Sequence, residues 1–309
     1  MPTLDAYFEA FHARITLDQG RRDRVTSAHT TLRDRLRTRP LLDSKIKDLF
    51  LQGSYAQHTA VRPPQEGEFD VDVVLAMDFV ETTPWLGSRV RTPQAAIDWV
   101  ASELSRIPSY AGMVEPRRRC VRINYRGEFH MDVVPAHAKW GPDDMLEVPD
   151  KGNANWRPSH PKAYLNWCAQ RNKATDGRFA RVVKYLKCWR DDMVPEAARP
   201  KSIILQTLIG RAIPERASSD AEAAAAVLKG LADVTDVHKY ILSTLLIPNP
   251  VMSEEDLGAA WSASGVTQFA KSVELAARNA AEALREPSIS QSVTRWATTL
   301  GRRFPLSVQ

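Results

Sequence analysis

Three aspartates carry the chemistry that this sequence offers: Asp70 and Asp72 in "EFDVDVVL", and Asp132 in "FHMDVV". In a strand, residues i and i+2 project from one face about 7 Å apart, so Asp70 and Asp72 point the same way while Val71 and Val73 turn to a core. Adjacent carboxylates repel. They can be solvated at a sheet edge, or a divalent cation can sit between them, since Mg²⁺ takes one or two carboxylates plus substrate phosphates. Asp132 is out of phase with Phe129, Met131 and Val133, so it supplies a third carboxylate away from the apolar face. Three carboxylates on neighbouring strands suit two cations that activate a hydroxyl and stabilise the leaving oxygen of an in-line phosphoryl displacement. Alone, D-x-D also occurs on solvated strand faces and in some glycosyltransferases.

Upstream, "LQGSYAQHTAVRPP" contains Gly53-Ser54. A glycine lets backbone approach an anion closely and a serine hydroxyl donates to phosphate, although such a pair is also an ordinary turn. Downstream, "GRFARVVKYLKCWRDD" places Phe179, Val182, Val183, Leu186 and Trp189 on one side of a helix and Arg181, Lys184 and Lys187 on the other. That second side is either a solvated basic face or a row that neutralises phosphates. Ser202, opening the next helix, is either a first-turn serine or a phosphate donor. His130 lies two residues before Asp132 and fits a supporting role better than that of a base. His58 and His137 fit loop or supporting positions, and no histidine pair has zinc spacing. Arg117, Arg118, Arg119 and Arg122 enter a strand whose polar face must be solvated. Tyr55, Trp156 and Tyr164 are candidates to stack on a base.

Several elements must position these groups. Apolar spacing from 4 to 38 gives one long helix or two, broken near Gly20. "SKIKDLFLQ" reads as a helix before Gly53, and "FDVDVVLAM" alternates as a strand. Thr92-Pro93 opens a helix to about Leu104, and "VRINYRGEFHMDVV" forms a hairpin turning at Arg126-Gly127. Beyond the Pro- and Gly-rich stretch at 141–161 the pattern is helical throughout. It includes "SSDAEAAAAVLKG", capped by Ser218 or Ser219, and "SEEDLGAAW", with a Ser253 to Asp256 capping pattern. The expected class is α+β, a mixed sheet with flanking helices over residues 1–150 followed by a helical domain over 151–309.

Composition narrows the class. A chain of 309 residues has room for two domains, and no run of about 18 apolar residues suggests a membrane span. The N-terminus lacks a signal-peptide core, so a cytoplasmic location is expected. Cys120, Cys168 and Cys188 are odd in number and far apart, as reduced core thiols would be. A formal charge of +5 suits a polyanionic substrate but also an ordinary, slightly basic protein.

The pattern "GSY…T…RP…EFDVDVV" followed by "FHMDVVP" resembles the polymerase-beta-type nucleotidyltransferase superfamily, and within it the bacterial cyclic-oligonucleotide synthases (CD-NTases). "RVVKYLKCWRDD" and "PKSIILQTLI" look like the family's later helices, and "IPNPVMSEEDLGAAW" like a late turn, so the resemblance spans about residues 45–262. The long loop "RPPQEGEF" suits the bacterial group. The resemblance implies a two-lobed fold, Mg²⁺ (with Mn²⁺ as a substitute) on Asp70, Asp72 and Asp132, and nucleoside triphosphates, ATP or GTP, on Gly53, Ser54, Lys184, Lys187 and Ser202. It further implies a cyclic di- or trinucleotide messenger that activates a separate effector in antiviral defence. No membrane partner is expected, and nucleic-acid binding is possible but not required. Rival functions are nucleotide transfer to an RNA 3′ end or a protein, or a non-catalytic nucleotide or RNA sensor.

Overall fold

A computed structural model describes residues 3–64, 67–85, 87–138, 144–150 and 154–308. The chain begins with helices α1 (Leu4–Ile15), α2 (Gln19–Arg37) and the short α3 (Pro40–Asp43). Strand β1 (Ile46–Gln52), the single-turn α4 (Gly53–Ala56) and β2 (Phe69–Met77) follow. A hairpin of β3 (Val80–Thr83) and β4 (Gly87–Val90) leads to α5 (Pro93–Ser105). Next come β5 (Val114–Pro116), β6 (Val121–Tyr125), β7 (Phe129–Ala138), β8 (Leu146–Asp150) and β9 (Asn155–Ser159). The remainder holds α6 (Pro161–Ala174), α7 (Arg178–Met193), α8 (Ser202–Ala212), α9 (Asp220–Thr235), the small pair β10 (Pro248–Asn249) and β11 (Met252–Asp256), α10 (Ala263–Arg285) and α11 (Ile289–Leu300).

Two compact units result. One comprises Leu17–His58 and Arg62–Leu165; the other comprises Met1–Thr16, Thr59–Val61 and Asn166–Gln309. Helix α1 therefore belongs with the C-terminal helices, and the chain changes unit inside α6 rather than near residue 150.

The first unit is built on a mixed sheet in the order β1-β2-β7-β6-β5, with β8 pairing β7 and β9. Among the described strand pairs, β2 and β7 alone run parallel, which requires a long crossover, and α5 lies in it. Thr92 caps α5 by accepting from the Ala95 amide at 3.3 Å, and the helix buries Ala96, Ile97, Val100 and Leu104. Alternation along β2 and β7 sends Val71, Val73, Met131 and Val133 inward, all fully buried. Past Asp72 the strand is covered on its other face too, where Val74, Ala76, Ala136 and Leu146 form a cluster with Phe50 and Val148.

The second unit centres on α7, which packs against α1, α8, α9 and α11. Phe8 and Phe11 of α1 meet Tyr185, with ring centroids 5.5 and 5.2 Å away, and Phe8 also meets Trp296 at 5.0 Å. The two contacts of Phe8 are edge-on and that of Phe11 is stacked, and aromatic pairs of either kind add about 0.5–1.5 kcal/mol each beyond area burial. The Tyr185 hydroxyl donates to Asp220 at 2.7 Å, and Arg181 grips the same carboxylate at 2.8 and 3.0 Å. Thr59–Val61 joins this unit through the Thr16–Val61 bridge.

Most expected elements form. The long N-terminal pattern is two helices, separated where Asp18 accepts from the Arg21 amide at 2.8 Å. The hairpin turns at Gly127, whose φ is 76°, and Ser219 caps α9. All three cysteines are buried and free. Three local readings are corrected. "IKDLFLQ" is a strand, because pairing along the β2 edge overrides the helix-like spacing of Ile46, Leu49 and Phe50. The Ser253–Asp256 pattern caps no helix: it lies in β11, and Asp256 instead accepts the Ile247 and Gly258 amides at 2.8 Å each. The stretch 141–161 contains β8 and β9, although residues 141–143 and 151–153 lie outside the described residues, as do 65 and 66 of the long loop.

Strands β8 and β9 are tied by a buried carboxylate. Asp150 is 1% exposed and meets Arg118 at 3.1 Å, Arg119 at 3.0 Å and Arg157 at 3.0 Å. The three guanidiniums are more than half exposed, which screens each pair. Asp150→Ala is expected to lower the melting temperature, because the shared acceptor of three guanidiniums is lost, while Arg118→Ala changes little because two partners remain. Thermal melts check this; equal melting temperatures for wild type and Asp150→Ala would contradict it.

Candidate active site

Strand register assembles the carboxylates. Gln52 on β1 stands opposite Asp72 on β2, Asp72 opposite Asp132 on β7, and Asp132 opposite Arg122 on β6. A polar row thus crosses four strands at one level, with Asp70 two residues along the same face. Its neighbours Val71, Val73, Val121, Ile123, Met131 and Val133 are fully buried, so no slip of register can bury the acids without exposing the core.

Arg122 is the cation of this row. Its Nε donates to Asp132 Oδ1 at 2.7 Å, and its Nη2 donates to Asp132 Oδ2 at 2.8 Å and to Asp70 Oδ1 at 2.9 Å. The fork on Asp132 is the strong bidentate arrangement of a guanidinium on a carboxylate. Its hydrogen bond to Asp132 holds the guanidinium even further above its ordinary titration range. Asp132 and Arg122 are only 14% and 20% exposed, whereas Asp70 is 58% exposed. Beside them lies Cys120, whose thiol is pushed up to about 12 by burial and then by the charge of Asp132. With Arg122 drawn onto Asp70 and Asp132, no three His, Cys, Asp or Glu side chains among the described residues are gathered closely enough to hold a metal ion as they stand.

Asp72 faces Gly53. The glycine has a φ of 70°, a left-handed conformation that L side chains avoid. A Cβ added there would collide with Asp72 Oδ2 and come within 3.0 Å of its Cγ. Position 53 therefore admits only glycine while Asp72 keeps this rotamer. Ser54 follows in the first turn of α4, and Tyr55 anchors that turn by donating to the Arg22 carbonyl at 3.1 Å.

The helical unit holds the remaining candidates. Lys184 and Lys187 are 7% and 6% exposed, so this side of α7 is not a solvated basic face. Lys187 Nζ donates to the Thr59 carbonyl at 2.9 Å and to its hydroxyl at 3.3 Å. Burial, and after it the charge of Arg190, pushes the Lys187 amine down to about 8. Lys184 meets Thr16 Oγ1 at 3.1 Å and His12 Nε2 at 3.3 Å. Burial and then the Lys184 charge push His12 down to about 4. Ser202 begins α8, and its hydroxyl accepts from Arg190 at 3.1 Å.

Other sequence candidates have structural duties. His130 pairs with Glu68 at 2.7 Å. His137 is buried between Phe79 and Trp156, and Trp156 donates to the Arg91 carbonyl at 2.8 Å. Arg118 and Arg119 serve Asp150, and Arg117 pairs with Glu115 at 2.9 Å. Solvation of the arginine cluster therefore fails for Arg122, a site residue whose part in the row the sequence reading passed over. Its signal was present: in "VRINY" the arginine alternates with Val121 and Ile123 and so shares the polar face of the strand that pairs with Asp132.

The Second Messenger Oligonucleotide or Dinucleotide Synthetase domain matches residues 1–172. A cyclic AMP-AMP-AMP synthase of Acinetobacter sp. is 29% identical over 286 residues, covering 91% of this chain and 80% of that protein. A c-di-GMP synthase of Roseivirga ehrenbergii is 28% identical, covering 79% of this chain and 69% of its own. In fold the chain is similar to CdnC of E. coli MS115-1, solved with ATP, at a TM-score of 0.76 and 18% identity, with 97% of this chain and 98% of CdnC covered. Among the described residues no helix is long and apolar enough to cross a membrane. The domain match over more than half of the chain and the mixed-sheet fold agree: the chain belongs to the Second Messenger Oligonucleotide or Dinucleotide Synthetase family, the bacterial CD-NTases, and is a nucleotidyltransferase of the cyclic-oligonucleotide synthase class.

Proposed function

We propose that this enzyme uses Mg²⁺ to join nucleoside triphosphates into a cyclic di- or trinucleotide, and that Asp70, Asp72 and Asp132 carry the chemistry. The observation that supports this reading is the row in which Asp72 and Asp132 stand opposite each other on parallel strands, with Asp70 on the same face. The donor set fits a hard divalent cation, being three carboxylates without a thiolate or imidazole among them. Gly53 fits as well, since any side chain there would take the space of the Asp72 carboxylate.

Asp70 and Asp72 would hold the cation, which when bound acidifies the attacking hydroxyl and offsets charge on the phosphates. Asp132 would take the proton of the attacking ribose hydroxyl at a carboxylate oxygen. As the new bond from the ribose oxygen to the α-phosphorus forms, the bond from that phosphorus to pyrophosphate breaks. Ser54 would donate its hydroxyl to the phosphates, and the bare backbone of Gly53 would let them approach. Lys187, Lys184 and Ser202 are proposed to assist with phosphate from the resemblance of their helices. A lysine amine lowered to about 8 inside a packed unit has the perturbed character common at functional sites.

The named products of the relatives above support a purine ring of two or three nucleotides. Closure follows when the linear intermediate turns round and presents its own 5′-triphosphate to the same groups, which gives the second attack a high effective concentration. We further propose that the product is a second messenger, in keeping with the family's description, and, from the resemblance to the CD-NTases alone, that it activates a separate effector in antiviral defence.

Incubation with the four nucleoside triphosphates and Mg²⁺, followed by phosphatase and mass analysis, is expected to give a phosphatase-resistant cyclic product. A ladder of linear oligomers would contradict ring closure. Asp70→Asn and Asp72→Asn are each expected to abolish product while the melting temperature stays near that of wild type; near-normal turnover by either would remove the metal assignment. Gly53→Ala is expected to lower kcat/KM about 100-fold or more, because the Asp72 carboxylate must move and small misplacements of reacting groups are that costly. Lys187→Ala is expected to weaken triphosphate use by about 1.5–3 kcal/mol, the worth of a charge-assisted hydrogen bond, and unchanged kinetics would return Lys187 to a purely structural role on Thr59.

A further inference from the structure

Arg122 has no part in the chemistry set out above, yet it makes the strongest contacts in the site. One guanidinium spans Asp132 and Asp70 through bonds of 2.7, 2.8 and 2.9 Å. Its strand partner is Asp132 itself, so backbone register aims it at the carboxylates. With a side chain 20% exposed, it is neither a loose surface arginine nor a sealed one. Arg122 holds Oδ1 of Asp70 and both oxygens of Asp132, so a cation that is to use these carboxylates competes with the guanidinium and meets its positive charge at the mouth of the site.

We infer that Arg122 is a built-in counter-ion of the carboxylate site, and that a divalent cation loads by displacing its guanidinium from Asp70 and loosening it on Asp132. This rests on the metal reading of Asp70 and Asp72. The physical need is plain. Three carboxylates on adjacent strands destabilise the sheet unless something positive lies among them, and a guanidinium on a neighbouring strand satisfies that need until a metal ion does. The consequence is a weak site for bare metal. A cation arriving with a triphosphate brings extra ligands and negative charge with which to outcompete Arg122, whereas a cation alone does not. Arg122 would thereby couple metal occupancy to substrate, acting as a positioning residue rather than a catalytic one.

The test measures Mn²⁺ alone, without nucleotide, by electron paramagnetic resonance or calorimetry on wild type, Arg122→Gln and Arg122→Lys, each with and without Asp72→Asn. Removing a unit positive charge from beside a divalent site is expected to tighten Mn²⁺ binding about tenfold or more in Arg122→Gln. Arg122→Lys, which keeps the charge but loses the fork, is expected to fall between it and wild type. In wild type, the Arg122 Nε resonance, assigned by its loss in Arg122→Gln, is expected to lose exchange protection as Mg²⁺ and triphosphate are added together. Asp72-dependent binding of equal strength in wild type and Arg122→Gln would overturn the counter-ion role and leave the metal reading standing. Absence of Asp72-dependent binding in every variant would overturn both. If Arg122→Gln melts far below wild type, Arg122→Lys and the Nε resonance decide the matter in proteins that keep the charge.

Discussion

Like charges brought together by strand register are the constraint on which the sheet unit depends. Pairing of β2 with β7 places Asp72 beside Asp132, and the two-residue period of the strand adds Asp70. The same register buries Val71, Val73, Met131 and Val133, so the acids cannot separate without opening the core. Repulsion between them is a cost of the fold, offset by the guanidinium that β6 supplies at the matching level. Buried charges persist where they are paired and hydrogen-bonded, and such arrangements gather where chemistry is done.

Conformational restriction at Gly53 follows from the same row. With φ at 70° and the Asp72 carboxylate against its Cα, this residue makes the end of β1 and the start of α4 a tight passage. The helical unit shows a parallel economy around α7. Hydrophobic and aromatic side chains pack almost all round this helix, so Lys184 and Lys187 reach partners on Thr16 and Thr59 instead of water. Burial of a lysine amine opposes its charge, and its retention in α7 sets Lys187 apart from an ordinary surface cation.

Much of this was legible in the residues. Strict alternation in "FDVDVVLAM" and "VRINYRGEFHMDVV" identified the strands, the hairpin and the face on which Asp70, Asp72 and Asp132 lie. Caps and turn glycines located α5, α9 and the bend at Gly127. What failed did so for tertiary reasons. "IKDLFLQ" has helical spacing but is captured by the β2 edge, and β11 forms because Pro248–Asn249 offers it a partner, neither of which a local pattern contains. The burial of Lys184 and Lys187 depends on neighbours from distant segments, since Thr59 lies 128 residues before Lys187. Arg122 was misread for a related reason: a polar residue in phase with the solvent face looks solvated until the strand beside it is known to carry Asp132.

On the proposed reading, the aspartate row holds a cation that acts on a triphosphate. A crystal structure with Mn²⁺ and a non-hydrolysable nucleoside triphosphate, with anomalous data collected at the manganese edge, decides whether it does. The expected result is an anomalous peak ligated by Asp70 and Asp72 carboxylate oxygens and by phosphate, with Arg122 moved off Asp70. A nucleotide bound with the metal elsewhere, and Arg122 still bridging Asp70 and Asp132, would contradict it.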